Sequence, residues 1–284
     1  MPMDDVAGRV VLVTGGAKGV GREVVRAFAR RGATVLVNYF HSRAEAEQLQ
    51  AELADQGLPI TLLRASVAKR EQVDEMFDTV ARDVGRLDVL VNNAALGALR
   101  PLAELDERDW TRTFDTILKG SLWCAQRAAR LMPAGGAIVN LSSVGSPFVL
   151  DGYTAVGTAK AALESLTRYL AVEFAGAGIR VNTASGGLLD GSVAGLFPDA
   201  DRLRSTVVAA TPLGRLGTEA ELAEVVLFLA SPAASWVTGQ CLIADGGLSL
   251  GHAMLSAGPI PAGAEPSAAP EPVAKTQPVA APQP

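Results

Sequence analysis

The stretch Thr14-Gly15-Gly16-Ala17-Lys18-Gly19-Val20-Gly21 decides how this chain folds. It follows an apolar β-branched run, Val10–Val13, and leads into residues 22–31, where apolar side chains recur at helical spacing. Glycines at such a junction let the backbone turn sharply and approach a pyrophosphate, whose charge is met by the N-terminus of the next helix. A glycine-rich match by itself is weak. Its place on the first strand–helix junction of an alternating chain gives it weight.

Outward from that loop, short apolar runs alternate with longer amphipathic patterns. Residues 34–39, 60–63, 89–91, 137–141, 180–183 and 241–244 read as further strands, and 43–56, 71–84, 109–132, 154–174 and 219–229 as further helices. Apolar strands bounded on both sides by helices predict an α/β fold: one doubly wound parallel sheet (a Rossmann fold) with helices on both faces. That domain is expected to span 1–251. Beyond it, eight of the sixteen prolines lie among alanines with three charged residues, so 252–284 reads as a Pro/Ala-rich disordered tail.

The bulk composition narrows the function classes. Of the 284 residues 49% are hydrophobic, enough for a sizeable core, and the net charge is −5 with Lys and Arg scattered, which argues against a nucleic-acid partner. The first nine residues carry Asp4 and Asp5 and no apolar core, and no apolar run approaches the ~20 residues of a membrane span. A soluble protein with no membrane partner is expected. Cys124 and Cys241 are isolated in apolar sequence and suit neither a disulfide framework nor a metal, which points to the cytoplasm. His41 and His252, the two histidines, lie near no Ser or Cys nucleophile pattern, and no cluster has metal spacing.

The second strand bears on the choice of nicotinamide cofactor. An NAD site usually places Asp or Glu about 20 residues past the glycines to hold the ribose 2′-hydroxyl. Here the strand ends Asn38-Tyr39-Phe40-His41-Ser42-Arg43, without a carboxylate. Lys18 and Arg43 are both placed to meet a 2′-phosphate, so NADPH is expected.

Five features together resemble the short-chain dehydrogenase/reductase family: Thr14–Gly21; Asn92-Asn93-Ala94-Ala95; Ser142-Ser143; Tyr153 with Lys160; and Asp245-Gly246-Gly247. The resemblance covers residues 8 to 250. It implies Tyr153, Lys160 and Ser143 as catalytic residues. It also implies a cofactor held by Gly15, Ala17, Lys18, Gly19, Val20, Gly21, Asn38, His41, Ser42, Arg43, Ser66, Val67, Asn92, Ala94, Ser142, Tyr153, Lys160, Gly186, Gly187 and Leu188. Dimers or two-fold symmetric tetramers through helices 109–132 and 154–174 are implied too, since Trp123, Leu163 and Leu166 place apolar groups on more than one face.

The spacing inside the catalytic set is unusual. Most of the family separates Tyr from Lys by three residues; here position 157 is Gly and six residues intervene, so the tyrosine stands one turn early and Val156 takes its usual place. Seven residues are almost two helical turns, which keeps Tyr153 and Lys160 on one face, ~10 Å apart in rise instead of ~6 Å. In reduction of an α,β-unsaturated thioester, hydride enters the β-carbon while charge collects on a carbonyl oxygen two carbons away. A donor displaced from the nicotinamide suits that oxygen. The Tyr-x6-Lys spacing, the run 153–173 and Ser185-Gly186-Gly187 are similar to the NADPH-dependent enoyl-[acyl-carrier-protein] reductases of the type III group. They imply an acyl thioester on acyl carrier protein or coenzyme A.

Two alternatives stay open: a 3-oxoacyl or polyketide carbonyl reductase, and a weakly active cofactor-binding partner subunit. Ile117 stands where the family usually has a proton-relaying Asn, and Gly191 where a Thr often binds the carboxamide, with Ser192 as a substitute. Glu219, Glu221 and Glu224 read as a solvated helix face, and 191–211 as a substrate flap or a packed helix pair.

Overall fold

Strand β1 (Val10–Val13) is buried along its whole length, and the two-residue period of an extended chain divides its side chains between two cores. Val11 and Val13 join Phe28, Leu49 and Val226; Val10 and Leu12 join Phe77, Val80 and Ala128. A strand apolar on both faces is stable only with both faces covered, each large side chain contributing roughly 1.5–3 kcal/mol on burial. This is the physical origin of the layered architecture. The computed structural model describes residues 6–97, 99–132, 135–191 and 199–251. The tail read at 252–284 lies outside these residues.

From β1 the chain runs through α1 (Gly19–Arg30), β2 (Thr34–Tyr39), α2 (Arg43–Asp55), β3 (Ile60–Arg64), α3 (Arg70–Asp83), β4 (Val89–Asn92), α4 (Glu107–Phe114) and α5 (Gly120–Ala129). It continues through β5 (Ala137–Ser143), α6 (Thr154–Phe174), β6 (Arg180–Gly186), β7 (Leu189–Asp190), α7 (Ala200–Ala210), β8 (Gly217–Thr218), α8 (Glu219–Ala230) and β9 (Cys241–Ala244). Seven strands form one parallel sheet in the order β3-β2-β1-β4-β5-β6-β9. The order reverses between β1 and β4, and at such a switch point the C-terminal strand ends open a crevice.

Two departures from the sequence reading matter for the site. The helix expected at 109–132 is two helices, α4 and α5, joined by a π-helical turn at Asp115–Lys119. Such turns are rare and recur at functional sites. Secondly, β7 pairs with β8 in register Leu189↔Gly217 and Asp190↔Thr218, bringing the start of α8 beside Gly191. Of the residues expected to face a partner subunit, Leu163 is buried in the chain's own interior, and Trp123 and Leu166 are half-buried against the core. On α6 the exposed apolar side chains are Tyr169 and Val172, at 68% and 79%.

Candidate active site

The glycine loop forms a cradle too tight for side chains. Gly15 has φ +62°, and a Cβ there would stand 2.9 Å from Cα of Ala94. A Cβ on Gly21 would meet Nδ2 of Asn93 at 2.4 Å and the Gly15 carbonyl at 2.5 Å. Helix α1 starts after Lys18 with no side-chain cap and no acidic residue in its first turn. The first N–H groups of a helix have no partner inside it, so an anion fits there, as a cofactor pyrophosphate requires.

Two asparagines expected at the cofactor are turned inward. Buried Asn38 accepts from the Gly15 N–H (3.4 Å) and donates to the carbonyls of Leu63 and Ala65 (3.3 and 2.9 Å). Its side chain ties the glycine loop to β3. Asn92 donates to Asn140 Oδ1 (2.9 Å) and the Ser121 carbonyl (3.3 Å), deep in the sheet. Asn93 takes the place beside the cleft, its amide holding the carbonyls of Thr14 and Gly15 at 2.9 Å each. A buried amide costs stability unless its polar atoms are bonded: Asn38 meets this at both ends, while Asn92 bonds through Nδ2 and its Oδ1 has no partner among the described residues.

Past the end of β2 cationic side chains gather, one of them paired with a carboxylate. Lys18 is exposed, and Arg43 is exposed with Nε 2.7 Å from Oε1 of Glu47. Arg64 ends β3 directly opposite Tyr39, its guanidinium 5.7 Å from the Phe40 ring centre. Sequence reasoning missed Arg64, which lies 24 residues from Phe40 and reaches it through strand pairing. His41 meets the Phe40 ring edge-on (4.4 Å between centroids), and Ser42 precedes α2. The Ser66 N–H donates to Gln72 Oε1 (2.8 Å), and buried Val67 packs where a Cβ on Gly120 would stand 3.0 Å from it.

The catalytic candidates converge on a cavity of about 230 Å³. Ser142, Ser143, Tyr153, Lys160, Gly186, Gly187 and Leu188 line it, with Val20 from the glycine loop and apolar Leu150, Leu203, Val207 and Leu248. Tyr153 stands immediately before α6 and its phenol hydrogen-bonds Ser143; burial pushes its pKa up, so it stays protonated and able to donate. Lys160, 6% exposed, donates from Nζ to the Leu141 carbonyl at 2.5 Å. Burial lowers its pKa to about 8, against the pull of Glu164. Position 157 has no room for the lysine of the common spacing, because a Cβ there would stand 2.6 Å from the Gly145 carbonyl.

Residues 15–249 match the family described as Enoyl-(Acyl carrier protein) reductase. The 1-cyclohexenylcarbonyl-CoA reductase of Streptomyces collinus is 39% identical over 244 residues, covering 85% of this chain and 87% of that protein. The chain belongs to the short-chain dehydrogenase/reductase family. The 3-oxoacyl-[acyl-carrier-protein] reductase of Staphylococcus aureus (strain Mu50) is 35% identical, covering 84% of this chain and 96% of that one. The structure of a gluconate 5-dehydrogenase from Burkholderia cenocepacia J2315, in complex with NADP and tartrate, superposes with a TM-score of 0.82 at 30% identity, over 87% of this chain and 98% of that one. The protein is thus an NAD(P)-dependent reductase.

In this short-chain dehydrogenase/reductase an apolar cluster packs against the tyrosine. Ile117, 1% exposed, sits inside the π-helical turn and packs with Val156, Ala159 and Leu163 in one cluster. The Ile117 carbonyl is itself taken by the Ser121 hydroxyl at 2.7 Å. Neither atom set offers a proton path. The two positions where the family usually has Asn and Tyr are therefore filled here as one hydrophobic unit.

Gly191 has a steric reason. A Cβ there would stand 2.5 Å from Oε1 of Glu219, which lines the cavity. This corrects the reading of Glu219 as part of a solvated face; Glu224, bonded to Arg31, and Glu221, bonded to Arg215 and capping α8, do lie outside the cavity lining. Of the expected flap, α7 is a helix contributing Leu203 and Val207 to the cavity, and 192–198, with Ser192, lies outside the described residues.

Proposed function

We propose that this reductase saturates the double bond of a 2-enoyl thioester, carried on acyl carrier protein or coenzyme A, with NADPH as the cofactor. The observation that carries the reading is the position of Tyr153, one turn before Val156, whose site is closed by Ile117. When bound, the cofactor would supply hydride to the β-carbon, and a proton taken up from solvent at the α-carbon would complete saturation. Tyr153 donates a hydrogen bond to the thioester oxygen as negative charge gathers there, and Ser143 orients that phenol. Lys160, a buried cation, binds the ribose hydroxyls. The apolar side chains of α7 and of Leu150 and Leu248 exclude water and accept the acyl chain. The similarity to a reductase whose name puts a ring alkene beside a thioester carbonyl supports the reading.

Carbonyl reduction is the second reading, favoured by the Ser143–Tyr153 hydrogen bond and by the similarity to the 3-oxoacyl reductase. NADPH oxidation followed with crotonyl-CoA and acetoacetyl-CoA side by side separates the two. Turnover of crotonyl-CoA at least tenfold faster is the expected result; turnover of acetoacetyl-CoA with crotonyl-CoA untouched overturns the enoyl assignment.

Preference for NADPH rests on Lys18, Arg43 and Arg64 around a strand end that carries no carboxylate. NADPH is expected to bind more tightly than NADH. Lys18→Ala should cost about 5- to 30-fold in NADPH affinity, about 1–2 kcal/mol, since the charge-assisted bond is made at an exposed site. NADH affinity should stay unchanged. Equal dissociation constants for the two cofactors in the wild type would defeat the assignment.

A further inference from the structure

With the Ile117 side chain unable to hydrogen-bond, Lys160 must take its polar support from elsewhere, and the fold supplies another group. Glu164 follows Lys160 by one helical turn on α6, on the same face. Its Oε1 accepts a hydrogen bond from the Ser142 hydroxyl at 2.5 Å. Ser142 is buried, follows the Leu141 carbonyl that Lys160 grips, and lines the cavity. A carboxylate reaching into this corner thus ties the end of β5 to the helix that carries the lysine.

We propose that Glu164 is a positioning residue: through Ser142 and across one turn of α6 it holds Lys160 in the cleft as a cation, taking over the polar support that Ile117 cannot give. The idea rests on Lys160 being the ribose-binding group. The groups facing Glu164 are Ser142 on β5, Cys241 on β9 and Lys160 on its own helix, and Arg168, one turn further along α6, acts on the same Cys241. The Cys241 thiol is pushed up to about 12 by burial and by Glu164, so it stays neutral throughout the relevant range. Burial favours the neutral form of Lys160, and Glu164 is the charge opposing that neutralisation.

Burial brings Lys160 down to about 8 with Glu164 present; without that carboxylate the lysine loses its proton at lower pH. Replacing Glu164 by Gln keeps the size and an acceptor for Ser142 but removes the charge. NADPH dissociation constants of wild type and Glu164→Gln are measured at half-unit steps from pH 6 to 9.5, and their ratio is taken at each pH, which cancels the titration of the cofactor itself. The ratio should be near one at pH 6, rise to about three- to tenfold between pH 7 and 8.5, and fall again as both lysines become neutral, corresponding to a displacement of about half to one pH unit. Glu164→Asp should restore most of the wild-type profile, and Glu164→Ala should behave as Gln does, which covers failure of the glutamine variant to fold. A ratio constant with pH, with a lowered Tm, means a structural role and overturns the proposal. A wild type with no change in affinity between pH 7 and 9, and a Lys160→Ala variant that binds NADPH normally, overturns the ribose role of Lys160 and the proposal with it.

Discussion

Tyr153→Phe should lower kcat on a 2-enoyl thioester by on the order of 10²–10³, the usual cost of removing one donor aimed at developing charge. NADPH affinity should stay within about twofold of wild type, because the phenol acts on the transition state and not on the bound cofactor. Burial keeps that phenol protonated, so no loss of donation is expected through neutral pH. Single-turnover kinetics with crotonyl-CoA and a fluorescence titration with NADPH measure the two quantities. A fall in kcat below about tenfold would remove Tyr153 from the mechanism. The route back to the common spacing is closed sterically, since Val156 packs with Ile117 and a Cβ on Gly97 would already stand 2.1 Å from Val156 Cγ2. A tyrosine at 156 would overpack this cluster, a change that typically costs about 1–3 kcal/mol.

Lys160→Met should separate binding from stability. Loss of the buried ammonium removes charge-assisted hydrogen bonds worth ~1.5–3 kcal/mol, so NADPH affinity should fall about 10- to 100-fold. The free protein should be more stable than wild type at pH 7. Lys160 is lowered from 10.5 to about 8, so folding opposes its charged form, at a cost of up to roughly 3 kcal/mol. Below pH 8 both folded and unfolded chains hold the proton and that cost is present in full. Between pH 8 and 10.5 the unfolded chain still binds the proton that the folded chain has released, so wild-type stability rises with pH and the variant's advantage disappears. Melting temperatures of both proteins at pH 7 and 10 check this. A variant that is less stable at pH 7 would mean that packing of the lysine stem outweighs the cost of burying its charge.

The common thread is a site that spends stability on an apolar setting. A lysine buried beside the Leu141 carbonyl, a phenol held protonated and an apolar cluster around Ile117 all raise the strength of each remaining polar contact.

Local pattern determined the architecture. Strands at 10–13, 34–39 and 241–244 and the helix at 154–174 fall where hydrophobic periodicity and the glycine junction put them, because period and backbone freedom are properties of adjacent residues. The same holds for the company of Ser143, Tyr153 and Lys160, which one strand end and one helix start bring together. What tertiary structure decided was the partner of each polar side chain. Asn92 finds Asn140 and Asn38 finds Ala65, while Glu219 fills the space that Gly191 leaves, and Glu164 bonds Ser142. Each pair is separated by 22 to 48 residues and meets through sheet register or a helix laid across a strand end, and no local periodicity encodes that meeting.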